Sequence, residues 1–400
     1  MDVNIVRKID KFFGIPLCFL FTIIEKLRIN KKHKSPPEKI LITQISEMGS
    51  QIMIYPSLKE LKRKYINSEL YFLTFKKNDW PMKTLGIIPG KKIFTIRDDS
   101  IIYFFIDVLK IIIRTRRIKI DAVIDLELFA RVSMLLNYLT GAKTRIGFDN
   151  FMAEGLYRGN LLTHKVHYNP YKHISINFLA LIKSLGEDKK DLPLVKEEIK
   201  NNLEIPKIEV KKEDKEKILK KLQKKNSLIN EKSKLMIFNY DAGDLLIRAW
   251  QLKNFSELGR RLLEEKENYI ILIGTKKSKK FASIIKKGIN NEKCIDLSGE
   301  TSLDELINLF SISEIMIGID NGPSNFSALT RLKTIVLFGP ETPLLYKPLN
   351  ENVKVIYKNL NCSPCLTAFN NRTSPCKNNK CLKNISVSEV YKEIKTMLKK

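Results

Sequence analysis

The chain has 400 residues, with 44% hydrophobic and 29% charged side chains, so it has apolar material for folded cores and no compositional case for global disorder. Its length exceeds one ordinary core and favours two globular domains of roughly 150 to 200 residues each. Lys and Arg total 71 against 44 Asp and Glu, a net charge of +27 that favours phosphate-bearing partners but is equally the mark of a merely solvated basic surface.

The chain opens with an uninterrupted apolar run, Phe12 to Ile24 (FFGIPLCFLFTII), set among Lys8, Lys11, Lys26, Arg28, Lys31, Lys32 and Lys34. A run of 13 residues is too short to cross a bilayer, which takes about 20. No small-residue cleavage site follows it, since Glu25, Lys26, Leu27 and Arg28 come next, so a secretory signal is disfavoured. Two readings stay open: an interfacial anchor on an anionic membrane, or a helix docked on the protein's own core. Residues 1–38 form this segment and its linker.

From residue 39 the pattern is α/β. A short strand at Ile40 to Ile42 leads through a turn at Glu47 to Ser50 into a helical pattern over Pro56 to Tyr65, and a second strand follows at Leu70 to Phe75. The alternation recurs around Asp121 to Asp125, giving a doubly wound domain over 39–186. Residues 187–233 are dominated by Lys and Glu and lack Gly after position 186, which predicts a charged linker carrying one helix near Glu213 to Lys225. The rhythm restarts over 234–385, with short β-branched strands at Leu235 to Phe238, Tyr269 to Ile273, Ile315 to Ile319 and Thr334 to Phe338. Their lack of alternation suits a parallel sheet covered on both faces. A last helix is expected over 386–400.

In such sheets ligands bind beyond the carboxyl ends of the strands. After Ile319 come Asp320, Asn321, Gly322, Pro323, Ser324 and Asn325, a turn running into a small-residue helix start whose N–H groups suit a pyrophosphate. After Phe338 come Gly339 and Pro340, and Gly274 and Thr301 lie beyond other strands of the same domain.

Four stretches, Trp250 to Leu258 (WQLKNFSEL), Leu297 to Leu306 (LSGETSLDEL), Gly318 to Ala328 (GIDNGPSNFSA) and Leu337 to Pro343 (LFGPETP), stand in an order that resembles glycosyltransferase family 9, the ADP-heptose:lipopolysaccharide heptosyltransferases and their relatives. Ile40 to Pro56 (ILITQISEMGSQIMIYP) and Leu139 to Asp149 (LTGAKTRIGFD) extend the resemblance over about residues 39 to 385. It implies a GT-B fold, two Rossmann-like domains facing across a cleft, with the nucleotide sugar on the second and the acceptor mainly on the first. It also implies inverting, metal-independent transfer, in which a general base deprotonates the acceptor hydroxyl and cations steady the departing diphosphate. A lipid-linked or cell-envelope saccharide acceptor and a place on the inner face of the cytoplasmic membrane follow from the same resemblance; no nucleic-acid module is recognised.

Carried over residue by residue, Arg248 stands where the family has a phosphate-contacting Lys, and Gln251 replaces a Pro. The Asp-Ser/Thr-Gly-x-x-His motif becomes Asp320, Asn321, Gly322 and Asn325. In the first loop the family's Gly-Asp, with Asp as base, is Gly49-Ser50. A serine is no general base unaided, so Glu47 and Glu127 become the candidates, each also readable as an ordinary loop carboxylate. The stretch Glu154 to His173 is similar to polysaccharide-associated members and offers Arg158, His164 and Lys165 for an acceptor, beside Gly49 and Ser50. The spacing of His164, His167 and His173 fits no regular metal site.

Cys18 and Cys294 are isolated, whereas Cys362, Cys365, Cys376 and Cys381 cluster. Three states stay open for the cluster: a structural four-thiolate zinc, disulfides or free thiols. None of the three is catalytic, and no catalytic cofactor is expected.

Overall fold

The computed structural model describes residues 3–27, 36–151, 155–188, 191–199 and 203–399, with side chains from Asp10 onwards. Arg28, Lys31, Lys32, Lys34 and Glu154 lie outside the described residues, as does the side chain of Lys8. The chain divides into two compact units, Met1–Leu203 with Thr367–Thr373, and Glu204–Leu366 with Ser374–Lys400.

Among its described residues the first unit holds six parallel strands: β1 (Lys39–Thr43), β2 (Glu69–Phe75), β3 (Ile93–Ile96), β4 (Ala122–Asp125), β5 (Thr144–Asp149) and β6 (His164–His167). Their spatial order is β3-β2-β1-β4-β5-β6, so the direction of winding reverses between β1 and β4. Among the described residues seven α-helices flank them: α1 (Val3–Leu27), α2 (Met48–Met53), α3 (Tyr55–Lys64), α4 (Trp80–Leu85), α5 (Ile101–Ile118), α6 (Arg131–Leu139) and α7 (Ile174–Lys183). The single helix expected after the first loop is two, with Pro56 in the first turn of α3, where its missing N–H costs nothing.

The amino-terminal run is a helix docked on its own unit. Asp10 of α1 accepts hydrogen bonds from Arg131 Nη1 (2.7 Å) and the Val132 N–H (3.2 Å), and Glu25 forms an ion pair with Arg145. Between them Cys18 is fully buried, and burial pushes its thiol up to about 11. Gly159, at φ +70°, permits the approach: a Cβ there would lie 2.5 Å from Thr22 Oγ1 and 2.6 Å from the Cys18 carbonyl oxygen. Among the described residues no helix is long and apolar enough to cross a membrane.

The second unit repeats the plan with β7 (Lys234–Asn239), β8 (Asn268–Ile273), β9 (Cys294–Asp296), β10 (Ile315–Ile319), β11 (Lys333–Phe338) and β12 (Val353–Tyr357), ordered β12-β11-β10-β7-β8-β9. Around them run α8 (Lys212–Gln223), α9 (Leu252–Leu262), α10 (Lys279–Ile289), α11 (Leu303–Ser311), α12 (Gly322–Phe326), α13 (Pro343–Tyr346), α14 (Lys380–Lys383) and α15 (Val387–Lys399). β8 is buried at every residue, which explains its apolar run from Tyr269 to Ile273. The charged stretch before β7 is not a free linker throughout: Ile218 and Leu222 are buried, and α8 packs on α11. Trp250 is buried too, its indole N–H donating to the Ile385 carbonyl at 3.0 Å.

Candidate functional site

The carboxyl edge of the second sheet is knitted together by side chains. Asn239, the last residue of β7, and Asn321, after β10, exchange amide hydrogen bonds at 2.6 and 2.9 Å. Asn321 also donates to the Asp241 carbonyl at 2.9 Å. Asp241 in turn accepts from the Thr275 N–H and hydroxyl, both at 2.8 Å, which ties in the loop after β8. Burial opposes the charge on Asp241, yet the bonds from Thr275 and Gly243 hold its carboxyl below the usual range.

Arg248 stands at the centre of this edge. Its side chain is 14% exposed, with Nη2 2.6 Å from Glu341 Oε2 and Nε 4.0 Å from Asp320 Oδ2, while Nη1 donates to the Asp320 carbonyl at 3.4 Å. Nε itself has no hydrogen bond among the described residues. Burial, with the Asp320 carboxyl beside it, raises Glu341 well above the ordinary carboxylate range against the pull of Arg248. A guanidinium set between the Asp320 carboxyl and a Glu341 carboxyl held above its ordinary range, with Nε unspent, keeps donors to offer an incoming diphosphate.

The expected anion site at a helix start takes a different form. α12 is only five residues long, and the Asn321 side chain accepts the Ser324 N–H at 3.3 Å. At this edge Arg248, rather than a helix dipole, which needs length to build, supplies a largely buried cation. Asp320, Asn321, Gly322, Pro323, Ser324 and Asn325 all lie on this edge, Asn325 donating to the Asn321 carbonyl at 3.2 Å. Gly339 and Pro340 lie there too, but packing occupies them. A Cβ on Gly339 would come within 2.6 Å of Leu382 Cγ, and the Pro340 carbonyl accepts the N–H groups of Cys365 and Leu366, both at 2.9 Å. Gly274 is likewise a close-approach position, with a Cβ 2.5 Å from Ser278 Oγ. Thr301 precedes Ser302, which caps α11.

In the first unit the loop after β1 is held from below. Glu127 accepts hydrogen bonds from the N–H groups of Ile45 (2.6 Å) and Ser46 (2.7 Å) and from the Ser46 hydroxyl (2.7 Å), and is 7% exposed. This committed carboxylate shapes the loop. Glu47 projects from the same loop with its side chain 38% exposed, paired with Arg372. Ser50 is buried; it accepts from Gln44 Nε2 at 2.6 Å and donates to the Glu47 carbonyl at 3.0 Å. Gly49 lies beside it in α2.

Arg158 is 4% exposed and reaches Asp125 Oδ2 at 3.1 Å. Burial pushes Asp125 up to about 7; Arg158 lowers it and Glu127 raises it further. Arg158 thus steadies the unit rather than presenting its guanidinium to a ligand. His164 and Lys165 belong to the edge strand β6, not to a loop; Lys165 pairs with Asp149 at 3.1 Å and His164 Nδ1 lies 2.9 Å from Thr163 Oγ1. His173 caps α7, accepting the Ser175 N–H at 3.2 Å.

The structure does not support the four-thiolate zinc: among the described residues no group of three or more His, Cys, Asp or Glu is arranged to hold a metal ion. Among the described residues the cysteines form no disulfide: Cys362 and Cys376 are exposed, Cys365 is half-buried and accepts from the Ser374 hydroxyl at 3.2 Å, and Cys381 is buried beside Gly339. Burial raises the Cys381 thiol, and the three other thiols nearby push the same way. The segment 367–373, between Cys365 and Cys376, belongs to the first unit.

Sequence reasoning missed Asn239, Asp241 and Glu341 in the second unit and Asp125 and Arg372 in the first. The first four stand at or just past the carboxyl ends of β7, β11 and β4, so the rule that singled out Asp320 also reaches them; Arg372, from the returning segment, has no local signal.

The family model for glycosyltransferase family 9 (heptosyltransferase) matches residues 108–374. Lipooligosaccharide heptosyltransferase 2 of Campylobacter jejuni serotype O:2 is 27% identical over 186 residues, 45% of this chain and 56% of that protein, so the chain spans about half the length of that curated relative. Among solved structures, E. coli ADP-heptose LPS heptosyltransferase II superposes with a TM-score of 0.67 at 18% identity, covering 90% of this chain and 98% of that one. The glycosyl transferase family 9 protein of Veillonella parvula gives 0.68 at 17%, covering 92% and 98%. At these identities the likeness concerns the fold, two doubly wound α/β units.

Proposed function

Because the chain belongs to glycosyltransferase family 9, the heptosyltransferase family, we propose that it transfers a sugar, with inversion, from a nucleotide-diphosphate donor to a lipid-linked saccharide of the cell envelope. The observation that carries this is the placing of Arg248 between Asp320 and Glu341, where the strands of the second sheet give way to loops. The relatives act in lipopolysaccharide or lipooligosaccharide synthesis, and ADP-heptose is the donor to test first. The work is placed at the cytoplasmic face of a membrane, with peripheral contact to anionic lipid.

In the proposed reaction the acceptor oxygen loses its proton to a carboxylate and bonds the anomeric carbon from the face opposite the diphosphate. The bond from that carbon to the diphosphate oxygen breaks, and its electron pair leaves with the diphosphate, whose growing charge Arg248 balances. Glu47 is the base we favour, since its side chain is 38% exposed while Glu127 spends its oxygens on the loop. Arg372 pairs with Glu47 and orients it.

Transfer from ADP-heptose to envelope lipid extract tests the reading, with other nucleotide sugars run in parallel. Glu47→Gln is expected to slow transfer about 100-fold or more, the range for loss of a general base, while leaving donor affinity within twofold. Unchanged transfer by Glu47→Gln would remove it from the mechanism. A second reading, a nucleotide-sugar-binding protein without turnover, is favoured by one observation: Ser50 fills the position of the family's aspartate and has its hydroxyl committed on both sides. Saturable donor binding with neither transfer nor donor hydrolysis would establish that alternative.

A further inference from the structure

Helix α5 is apolar on two opposite faces. Phe104, Val108, Ile111, Thr115 and Ile118, at helical spacing, turn inward onto the core around β2 and β3. On the opposite face Ile102, Phe105, Ile106, Leu109 and Ile113 are 39% to 70% exposed. A soluble surface helix shows a single apolar stripe, so the second needs a covering.

Helix α1 makes the case sharper because its polarity is inverted. Its charged side chains Asp10 and Glu25 face the protein, paired with Arg131 and Arg145, whereas Phe12, Phe13, Phe19, Leu20, Ile23 and Leu27 face outward at 44% to 80% exposure. Both helices pack on α6, so their outward faces belong to one layer of the first unit. Lys11 and Lys26 of α1 and Lys110, Arg114, Arg116 and Arg117 of α5 are exposed alongside. The acidic groups of α5 and of the side-chain-described part of α1 are neutralised: Asp107 by Arg97 at 2.8 Å, Asp10 and Glu25 as above.

We propose that α5 and α1 together form a docking surface for an anionic lipid bilayer, with their outward apolar side chains among the acyl chains and the flanking Lys and Arg on lipid phosphates. A second copy of the chain fits this face poorly, since it would set the cations of α5 against their own kind in a protein of net charge +27. Anionic lipid supplies both the apolar medium and the opposite charge. α5 begins at the carboxyl edge of the first sheet, the edge that carries the Glu47 loop, so a lipid-borne acceptor would meet that edge. The inference deepens the function proposed above and rests on it for the identity of the acceptor, but not for the docking itself.

Flotation of the full chain with vesicles of phosphatidylethanolamine and phosphatidylglycerol (3:1) and with pure phosphatidylcholine tests it. Binding is expected to the anionic vesicles, at least tenfold weaker to phosphatidylcholine. The triple variant Ile102→Ser, Phe105→Ser, Leu109→Ser, altered only on the outward face, is expected to lose at least tenfold in partition with an unchanged melting temperature. Lys110→Glu with Arg117→Glu is expected to lose the preference for anionic lipid. Parental flotation by the triple variant overturns the proposal, as does a parental dimer that this variant converts to monomer without any vesicle binding. Donor titration of the same samples separates the two readings: vesicle binding without donor binding leaves the docking surface standing and removes the transferase, and the converse removes the docking surface alone.

Discussion

Arg248→Ala is expected to weaken nucleotide-sugar binding roughly 100-fold, about 3 kcal/mol, the scale for removing one partner of a largely buried charge pair. The loss has two sources. The guanidinium edge that meets the diphosphate disappears, and Asp320 and Glu341 remain beside the incoming phosphates without a cation between them. The fold should survive, because Glu341 is held well above the ordinary carboxylate range by burial and tolerates the loss as a neutral acid. The same shift sets the pH dependence. Glu341 is neutral below its raised value and ionises as pH rises through it, when it competes with the diphosphate for Arg248. Donor affinity in the parent should therefore fall as pH rises, and Glu341→Gln should bind more tightly at high pH and flatten the profile. Calorimetric titration of both variants at several pH values measures this; an Arg248→Ala protein with parental affinity contradicts it.

Arg158→Ala is expected to cost about 3–5 kcal/mol of stability at pH 8, because it strands the Asp125 carboxylate, 1% exposed, without its cation. Burial already raises Asp125 to about 7 in the folded chain, against 3.8 for an ordinary aspartate. Between those values the folded state holds a proton that the unfolded state has released, so this group's contribution to stability falls as pH rises across the window. Removing Arg158 takes away an opposing charge and pushes the value higher, so the loss should be smaller at pH 5, where the carboxyl is protonated. Urea denaturation at pH 5 and pH 8 checks the difference, and Asp125→Asn in the same chain should restore much of the loss. Equal losses at both pH values would mean that the effect is one of packing.

The α/β plan was legible because parallel strands covered on both faces are short, apolar and β-branched, and those after residue 234 stand out from their helical surroundings. β3, β6, β9 and β12 were harder, being the edge strands of the two sheets, three to five residues long and partly polar in sequence, as in the HKVH of β6. On the donor edge, residues that follow strands were readable by position, but their division of labour was not. Gly339 looked like a phosphate loop and is a packing point against Leu382; Glu341, in the same motif, became visible only through its distance to Arg248. Arg158 read as an acceptor ligand because composition cannot distinguish a buried guanidinium from an exposed one. The inverted polarity of α1 was hidden for the same reason: a run of apolar residues does not say which side carries the ion pairs, and only Asp10 and Glu25 facing Arg131 and Arg145 reveal it.

The most direct test of the account is calorimetric titration of the full chain with a panel of nucleotide-diphosphate sugars. One member of the panel should bind saturably at one site per chain, and Arg248→Ala should reduce that binding about 100-fold. No binding by any member, or binding that ignores the loss of Arg248, would contradict it.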